Sequence, residues 1–482
     1  MSFSFQSNTD MENRNHRKAD GFSVSTVSAF IVGLGILSAA IYWINFRFND
    51  LFPLFPGIEN LQLFVILSLF SSLLYLIAIF FIKRMNVNEK TPWQLTVIII
   101  FAAIIFRLGL IASDPSVLSN DMYRYIWDGR IQQRGINPYL YPPSAPELES
   151  LRDDRIFPNI NRKDYPTIYP AGAQVFFRII HILVGNSVAG FKGILVIFDL
   201  LTMLLLIAML RIWGLNVARI IVYAWNPLVI FETAYSGHLE GVTVFLMVAA
   251  FYLYSTHKKF PAIIVLALSA AVKIYPALLL GALLTHGEKV KGIFIFAATI
   301  FLLYLPFIGA GGRIAGFLPV YMANPYENFN LGLKYFLMRL IPGLNYHLLS
   351  WLFIGVMAIA GLVVFLKVKK GPAHLRYAYV LTGLLLVLMP ASLHPWYVIT
   401  IIPFLVFYLN PAWLIFSCTV CLSYLKYTSP QGVMPTWILL TEYLPLFVLL
   451  AAGLILRLFS EKCNLTRLFS TGKRSGLTEA RR

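Results

Sequence analysis

Long uninterrupted runs of apolar residues constrain this chain more than any other feature of its sequence. Several approach or exceed the length of about 18 residues at which an apolar segment can cross a bilayer as a helix. Clear examples are Phe22 to Phe46, Leu61 to Ile82, Val188 to Leu210 and Trp437 to Leu456. Only 13% of the residues are charged, against about 25% in a typical soluble domain. The sequence therefore predicts an all-α polytopic membrane protein with about 12–14 transmembrane helices.

The excess of positive charge is the second strong signal. A net charge of +17 would suggest nucleic-acid binding in a soluble protein. Here most Lys and Arg residues fall in short loops on one side of the predicted helices, where they set the orientation of a membrane protein. We therefore expect no nucleic-acid partner. We expect a multi-pass protein of the cell membrane, with both termini in the cytoplasm and the largest loop on the outer face.

These signals divide the chain into five segments. The largest hydrophilic segment contains several prolines, which argue against one long helix. It ends in an apolar stretch, 171–185, that is short for a crossing and is predicted to form an interfacial helix. Two short helices are predicted to meet near Lys273 and Pro276. The segments are a cytoplasmic tail (1–20), leading transmembrane helices (21–112), the outer loop (113–186), a transmembrane core (187–458) and a basic cytoplasmic tail (459–482).

A dense cluster of charged and aromatic residues lies in the outer loop, between Ser119 and Tyr139. Such a cluster is costly beside a bilayer unless it serves a function. We interpret it as the mouth of an active site, with Asp121 as a general base. The other candidate residues in the cluster, predicted to bind substrate, are Tyr123, Arg124, Tyr125, Trp127, Asp128 and Arg130.

Polar residues at the ends of later helices are predicted to face the same side. Together they would form a cavity with a carboxylate, cations, imidazoles and aromatic faces. That set suits the transfer of a sugar from a phosphate leaving group, because a base can deprotonate the acceptor hydroxyl and cations can offset charge on the phosphate. These further substrate-binding candidates are His238, Glu240, Lys273, His394, Trp396 and Tyr397.

Several residues in these motifs have structural alternatives to a catalytic role. Asp121 could cap a helix, and Asp128 could pair with Arg124 or Arg130. Both arginines could pair with acids instead of binding phosphate. His238 and Glu240 could bind a metal or form a polar loop end.

The same is true of residues within the apolar runs. Lys273 could snorkel, and Arg107 is expected to snorkel from the end of its helix. Trp396 and Tyr397 could belong to an interfacial aromatic belt. Cys418 and Cys421 are expected to be small embedded residues rather than a redox pair.

At these residues the sequence resembles the bacterial GT-C glycosyltransferases. More narrowly, it resembles polyprenol-phosphate-mannose-dependent mannosyltransferases, including the alpha-1,6-mannosyltransferases and glycosyltransferase family 87. The resemblance spans roughly residues 95–410. Its motifs are DMYRYIWDGR…GINPY from Asp121, AWNPLVIFETAYSGHLEG from Ala224, VKIYP from Val272 and LHPWY from Leu393.

This resemblance implies a GT-C fold and an inverting transfer outside the membrane. The implied donor is a polyprenyl-phosphate sugar, with mannose favoured, and the acceptor is a hydroxyl of a glycolipid or glycan. Asp121 matches the acidic base of the family's first large outer loop, and His394 matches a histidine region near the donor phosphate. The family's paired acids are absent, since Asn120 precedes Asp121; no metal ligand is assigned, and a divalent metal stays open as a cofactor.

Other classes of protein fit the same pattern of helices. A lipid-linked glycan transporter or flippase would have many spans and a polar cavity but no covalent chemistry. A non-catalytic subunit that binds lipid-linked sugar would also fit. The sequence leaves open the sugar, the acceptor, the linkage and the oligomeric state.

Overall fold

The computed structural model describes residues 21–47, 59–85, 93–115, 118–284, 287–323, 329–368, 373–429 and 432–472. Across these ranges the chain is helical, and the one β feature is an isolated bridge between Phe22 and Met85. The predicted all-α class is confirmed. The predicted 1–20 tail lies outside the described residues, as do residues 473–482 of the predicted basic tail.

The helices follow the predicted apolar runs closely. Short helical turns connect several of them, at Tyr275–Leu279, Leu280–Leu283, Leu305–Ala315 and Val420–Thr428. In chain order the helical segments are α1 Val24–Phe46, α2 Asn60–Arg84, α3 Trp93–Leu108, α4 Asp121–Gln133, α5 Ala171–Val184, α6 Val188–Ile212, α7 Val217–Ala224, α8 Pro227–Tyr235, α9 Glu240–Ser255, α10 Lys259–Val272, α11 Lys289–Tyr304, α12 Leu333–Leu340, α13 Tyr346–Lys367, α14 Ala373–Val387, α15 Pro395–Leu405, α16 Pro411–Thr419 and α17 Thr436–Gly472.

Six helices in the described ranges are long and apolar enough to cross a membrane, which confirms a polytopic membrane protein. They are α1, α2, α6, α11 with its continuation, α13 and the first part of α17. The bent pair α7 and α8 makes a seventh if it counts as one span. A further six apolar helices have 10–17 residues. The predicted total of 12–14 is reached only if these shorter helices are included.

Helices α7 and α8 form a bent pair rather than one straight span. The two helices meet at 59°, because Pro227 has no N–H to continue the backbone ladder. The side chain of Asn226 caps α8 by accepting hydrogen bonds from the backbone N–H groups of Leu228 and Val229. Its amide also donates to Tyr75 and Ser417. The hydrogen bonds of Asn226 at this break therefore connect α8 to α2 and α16.

The predicted pair of short helices near Lys273 is confirmed. Helix α10 ends at Val272, and a 3-10 turn begins at Tyr275 with Pro276 in its first turn. Lys273 is the C-cap residue of α10 in extended conformation. This break directs the Lys273 side chain away from the helix axis.

Arg107 corrects another prediction, because it does not snorkel. It is fully buried and forms an ion pair with the equally buried Asp199 of α6. Its guanidinium also donates to the backbone carbonyls of Ala103 and Ala224. A charge inside a bundle needs an opposite charge and hydrogen-bond acceptors close to it, and Arg107 finds them on its own helix, on α6 and on α7. Arg107 therefore links α3, α6 and α7.

The outer loop is a packed unit around helix α4. The ring of Tyr125 stacks on Phe177 of α5 at 4.7 Å, and Trp127 is fully buried. Gly129 is required at the contact, since a Cβ there would lie 2.5 Å from the carbonyl oxygen of Phe177. Helix α5 in turn packs on α10. The start of α4 is thereby fixed against the transmembrane helices.

Candidate active site

One large cavity lies between the outer loop and the transmembrane helices. Its volume is about 1070 Å³, slightly above the range of about 300–1,000 Å³ that is usual for sites of small molecules and cofactors. Its lining combines polar groups from the outer loop with apolar residues of α13 and α14. Six of the residues predicted from the sequence line it: Asp121, Arg124, Lys273, His394, Trp396 and Tyr397.

Asp121 is the first residue of α4, and its side chain is 20% exposed where it lines the cavity. Asn161 donates a hydrogen bond of 2.6 Å to its Oδ1 atom. Its Oδ2 atom lies 3.7 Å from Nδ1 of His238. The N-cap position belongs to Asn120, whose side chain makes no capping bond. The carboxylate of Asp121 is thus available to a molecule in the cavity.

His238 lies behind Asp121 and is almost fully buried. Its Nε2 atom is 3.5 Å from Oε2 of the buried Glu232, and Tyr424 donates a 2.7 Å hydrogen bond to the other oxygen of that carboxyl group. The turn that presents His238 depends on Gly237, which has a φ of +75°. A Cβ at Gly237 would lie 2.3 Å from the Met122 side chain.

Glu240 and Lys273 form an ion pair at 3.1 Å, with Glu240 fully buried. Nζ of Lys273 also lies over the rings of Tyr169 and Tyr397, at 5.5 and 5.7 Å. Lys273 therefore does not snorkel but contributes its charge to the cavity wall. Glu240 therefore forms an ion pair with Lys273 rather than a metal site together with His238.

Four rings form a continuous stack beside these groups. His238 stacks on Trp396 at 3.9 Å, Trp396 on His394 at 4.3 Å, and His394 on Phe329 at 4.6 Å. Three of these rings line the cavity. The stack fixes the imidazole planes, and it offers an aromatic surface of the kind that binds sugars. Trp396 belongs to this stack rather than to an exposed aromatic belt, since it is buried.

Tyr123, Tyr125, Trp127, Asp128 and Arg130 are not among the residues that line the cavity, and only Arg124 accompanies Asp121 there from the predicted cluster. Arg124 Nε donates to Asp128 at 2.8 Å, which is the predicted ion pair, while Arg130 pairs with Asp153. Tyr125 and Trp127 are core residues. The hydroxyl of Tyr123 donates to Asp114 at 3.2 Å; burial and this carboxylate raise the pKa of Tyr123 to about 12. These residues build the outer loop that carries Asp121.

The family model described as "alpha-(1->6)-mannopyranosyltransferase, N-terminal domain" matches residues 23–286 of the chain, more than half of its length. The chain belongs to this mannosyltransferase family. The protein is therefore a glycosyltransferase and a membrane enzyme. The match spans Asp121, Glu232, His238 and Lys273 and ends before His394.

No curated protein and no solved structure matches this mannosyltransferase significantly. The family and the helical architecture establish its class, while a GT-C fold stays a prediction.

Several polar residues in or beside the mannosyltransferase site were missed from the sequence. Asn161, the hydrogen-bond donor to Asp121, lies in a proline-rich loop without periodicity, so only the folded loop reveals it. Glu232 is different, because an acidic residue within an apolar run is itself a signal of function. The lining also includes Arg162, Lys426 and Tyr427, which no motif indicated.

The lining of the mannosyltransferase cavity also has an apolar part. Most of it comes from α13, α14 and the turns after α10. Its residues include Ile274, Leu278, Leu318, Ile354, Met357, Ala358, Leu385 and Met389.

The described ranges contain no complete set of ligands for a divalent metal. No group of three or more His, Cys, Asp or Glu side chains there is placed to hold an ion. Cys418 and Cys421 are buried free thiols, far better described as embedded small residues than as ligands. Whether this mannosyltransferase depends on a divalent metal can be tested with a chelator.

Proposed function

We propose that this mannosyltransferase transfers mannose from a polyprenyl-phosphate donor to a hydroxyl of a glycolipid or glycan, with inversion and with Asp121 as the base. One observation carries the proposal. A single cavity joins the carboxylate of Asp121, cationic side chains and an apolar wall. A polyprenyl-phosphate sugar needs each of these, because it combines a reactive sugar, an anionic phosphate and a hydrocarbon tail.

The cations of the cavity suit the phosphate of the donor. Lys273, Arg162 and Lys426 line the wall, and a positive charge near a leaving phosphate stabilises the negative charge that develops on it. Arg124 also lines the cavity while it is paired with Asp128. The partial neutralisation of Arg124 and Lys273 by their acidic partners keeps the wall from retaining the phosphate product too strongly.

The apolar side of the cavity suits the prenyl tail. Each buried CH₂ group contributes about 0.8 kcal/mol, so even a short contact with α13 and α14 would anchor the lipid. This arrangement would hold the phosphate at the polar end of the cavity. The sugar would then lie between the aromatic stack and Asp121.

The proposed chemistry is a single displacement. Asp121 accepts the proton of the acceptor hydroxyl, and the oxygen forms a bond to the anomeric carbon of the sugar. The bond from that carbon to the phosphate oxygen breaks, and its electron pair leaves with the phosphate. Attack from the face opposite the phosphate inverts the anomeric centre. Asn161 holds the carboxylate in place by donating to Oδ1, and a lone pair of Oδ2 accepts the proton.

We further propose that the outer loop and the cavity mouth lie on the outer face of the membrane, with both termini in the cytoplasm. The distribution of Lys and Arg supports this orientation. Membership of a mannosyltransferase family favours the enzyme over the flippase that the sequence also allowed.

The first test is transfer of label from radiolabelled polyprenyl-phosphate mannose into glycolipid, in proteoliposomes with the purified protein. We expect D121N to lower transfer at least about 100-fold, because a general base contributes about 10²–10⁴-fold. The matched control is D164N, which removes an exposed carboxylate of the same loop. D164N should keep native activity, and both variants should keep the native thermal midpoint.

A folded D121N protein with full transfer activity would falsify the role of Asp121 as base. Absence of transfer by the native protein with mannose, arabinose and glucose donors would contradict the proposed donor class. If labelled lipid nevertheless crossed the bilayer, the transporter interpretation would replace it.

A further inference from the structure

Glu232 occupies a position that the proposed chemistry does not use. It lies in α8 within a π-helical turn, Phe231–Tyr235, and only 1% of its side chain is exposed. Such turns often occur at functional sites. Its carboxyl group does not line the cavity, but it faces the histidine that stands behind Asp121. Glu232, His238 and Asp121 therefore form a line from the bundle interior to the cavity wall.

The polar atoms along this line have few other partners. Oε2 of Glu232 and both ring nitrogens of His238 make no hydrogen bond at normal length among the described residues. The separations are 3.5 Å from Glu232 to Nε2 and 3.7 Å from Nδ1 to Asp121. Catalytic hydrogen bonds commonly tighten to about 3 Å when substrate binds. The stack of His238 on Trp396 keeps the ring in the plane that serves both contacts.

Charge decides the direction of the hydrogen bonds. In the described part of the chain, no Lys or Arg pairs with Glu232, and the nearby Lys273 is paired with Glu240. A buried carboxylate without a cation is costly, so the neutral acid is favoured. Oε1 already accepts from Tyr424, which leaves the acidic proton on Oε2. That proton points to Nε2, and the imidazole then carries its own proton on Nδ1.

We propose that Glu232 is a positioning residue for the base. As a neutral carboxylic acid it donates to Nε2 of His238, and this selects the tautomer whose Nδ1–H donates to Oδ2 of Asp121. The donated hydrogen bond stabilises the ionised form of Asp121 and orients it toward the acceptor hydroxyl. This inference rests on the proposed function of Asp121 as base.

The charged and titratable groups around His238 come from several elements. Asp121 faces it from α4, Glu232 from α8, and the Glu240–Lys273 pair from α9 and the end of α10. His394 lies on the far side of Trp396 in the ring stack, and the Lys192 side chain lies against the turn at Gly237. Because Glu240 and Lys273 neutralise each other, Asp121 is the group whose ionisation His238 controls most directly.

The test compares E232Q with E232L in the transfer assay over a range of pH. The amide of E232Q can still donate to Nε2 and accept from Tyr424, so we expect activity within about threefold of native and an unchanged pH profile. E232L keeps the volume but removes the donor. Without that donor the imidazole no longer keeps its proton on Nδ1, so the hydrogen bond from His238 to the charged Asp121 is lost as well. We expect about a 30-fold lower kcat, in line with the loss of a hydrogen bond to a charged group, and an acidic limb moved to higher pH.

The matched controls are E442Q and E442L, which alter another buried carboxyl group outside the line. They should leave the acidic limb where it is in the native enzyme, whatever they do to stability. A double-mutant cycle with H238Q adds a second measurement, in which E232L should cause little further loss once His238 is gone.

An active E232L enzyme with the native pH profile would overturn the inference, and so would additive losses in the cycle. Equal loss in folded E232Q and E232L would also overturn it, because it would assign Glu232 an anionic role. If E232L does not fold, the activity of E232Q decides. Failure of the base proposal has a different signature, since D121N would then stay active.

Discussion

At the scale of single residues, Asp153 shows how one carboxylate organises the outer loop. Its Oδ1 accepts hydrogen bonds from the backbone N–H groups of Arg155, Ile156 and Phe157, and its Oδ2 accepts from Arg130. Partial burial alone would raise the pKa of Asp153. The bonds from the backbone at Ile156 and from Arg130 outweigh it, and the net pKa lies below the ordinary value.

This shift predicts a loop that loosens in acid. Because the folded-state pKa of Asp153 lies below its unfolded value, the stabilisation is fully present above the unfolded pKa, about 3.9. It is lost as the pH falls through the folded value. We expect amide protection at Ile156 and Phe157 to drop in that window, measured by hydrogen exchange corrected for the intrinsic rate. In D153N the protection should be low already at neutral pH, and protection unchanged to pH 2 in the native protein would contradict the prediction.

At the scale of elements, helix α4 carries the base and its position depends on close packing with α5. Its buried face is formed by aromatic residues such as Tyr125 and Trp127. Gly129 lets the backbones approach, while the Arg124–Asp128 pair satisfies charges on the same helix. Tyr125, Trp127 and Gly129, which do not line the cavity, thus hold Asp121 in its position at the cavity wall.

Substitution of Gly129 by Ala tests this packing. The added Cβ would lie 2.5 Å from the Phe177 carbonyl oxygen and 2.8 Å from the His181 side chain, so α4 must shift. Overpacking typically costs about 1–3 kcal/mol, and we expect a lower thermal midpoint in detergent together with reduced transfer.

The matched control for this variant is G193A in α6, where a Cβ would have no neighbour within 4 Å. G193A should be neutral or slightly stabilising, because Ala is the better helix former. A G129A protein as stable and active as native would show that α4 and α5 do not need this contact.

At the scale of the whole molecule, the cavity exists because distant parts of the chain meet between the outer loop and the transmembrane helices. The outer loop contributes Asp121 and Asn161, the end of α10 contributes Lys273, and the segment before α15 contributes His394. Helices α13 and α14 close the apolar side. One cavity can then hold both the reacting polar groups and the lipid tail of the proposed donor.

The proposed orientation can be tested with single added cysteines and a membrane-impermeant maleimide on intact cells. R155C lies at an exposed position of the outer loop, and K258C at an exposed position between α9 and α10. We expect R155C to react in intact cells and K258C only after permeabilisation, with the native chain as background. The reverse pattern would place the cavity mouth on the cytoplasmic side.

The sequence alone determined the all-α membrane class, because a chain this apolar must satisfy its backbone within helices in a bilayer. It also determined most helix bounds and the candidates Asp121, Lys273 and His394, since charged residues beside apolar runs stand out. Apolar runs and the charged residues beside them can be recognised within a short stretch of the chain.

Only the tertiary structure decided which candidates meet. The sequence could not show that Asp121 lines the cavity. Nor could it show that Asp128, seven residues after Asp121, is buried and paired with Arg124. It could not show Asn161 against Asp121 or Glu232 behind His238, and it suggested a surface role for the buried Arg107. The contacts of Asn161 with Asp121 and of Arg107 with Asp199 join residues far apart in sequence, and such contacts are set by the packing of helices that no single run of residues specifies. The Arg124–Asp128 and Glu232–His238 contacts are closer in sequence, but their burial depends on the same packing.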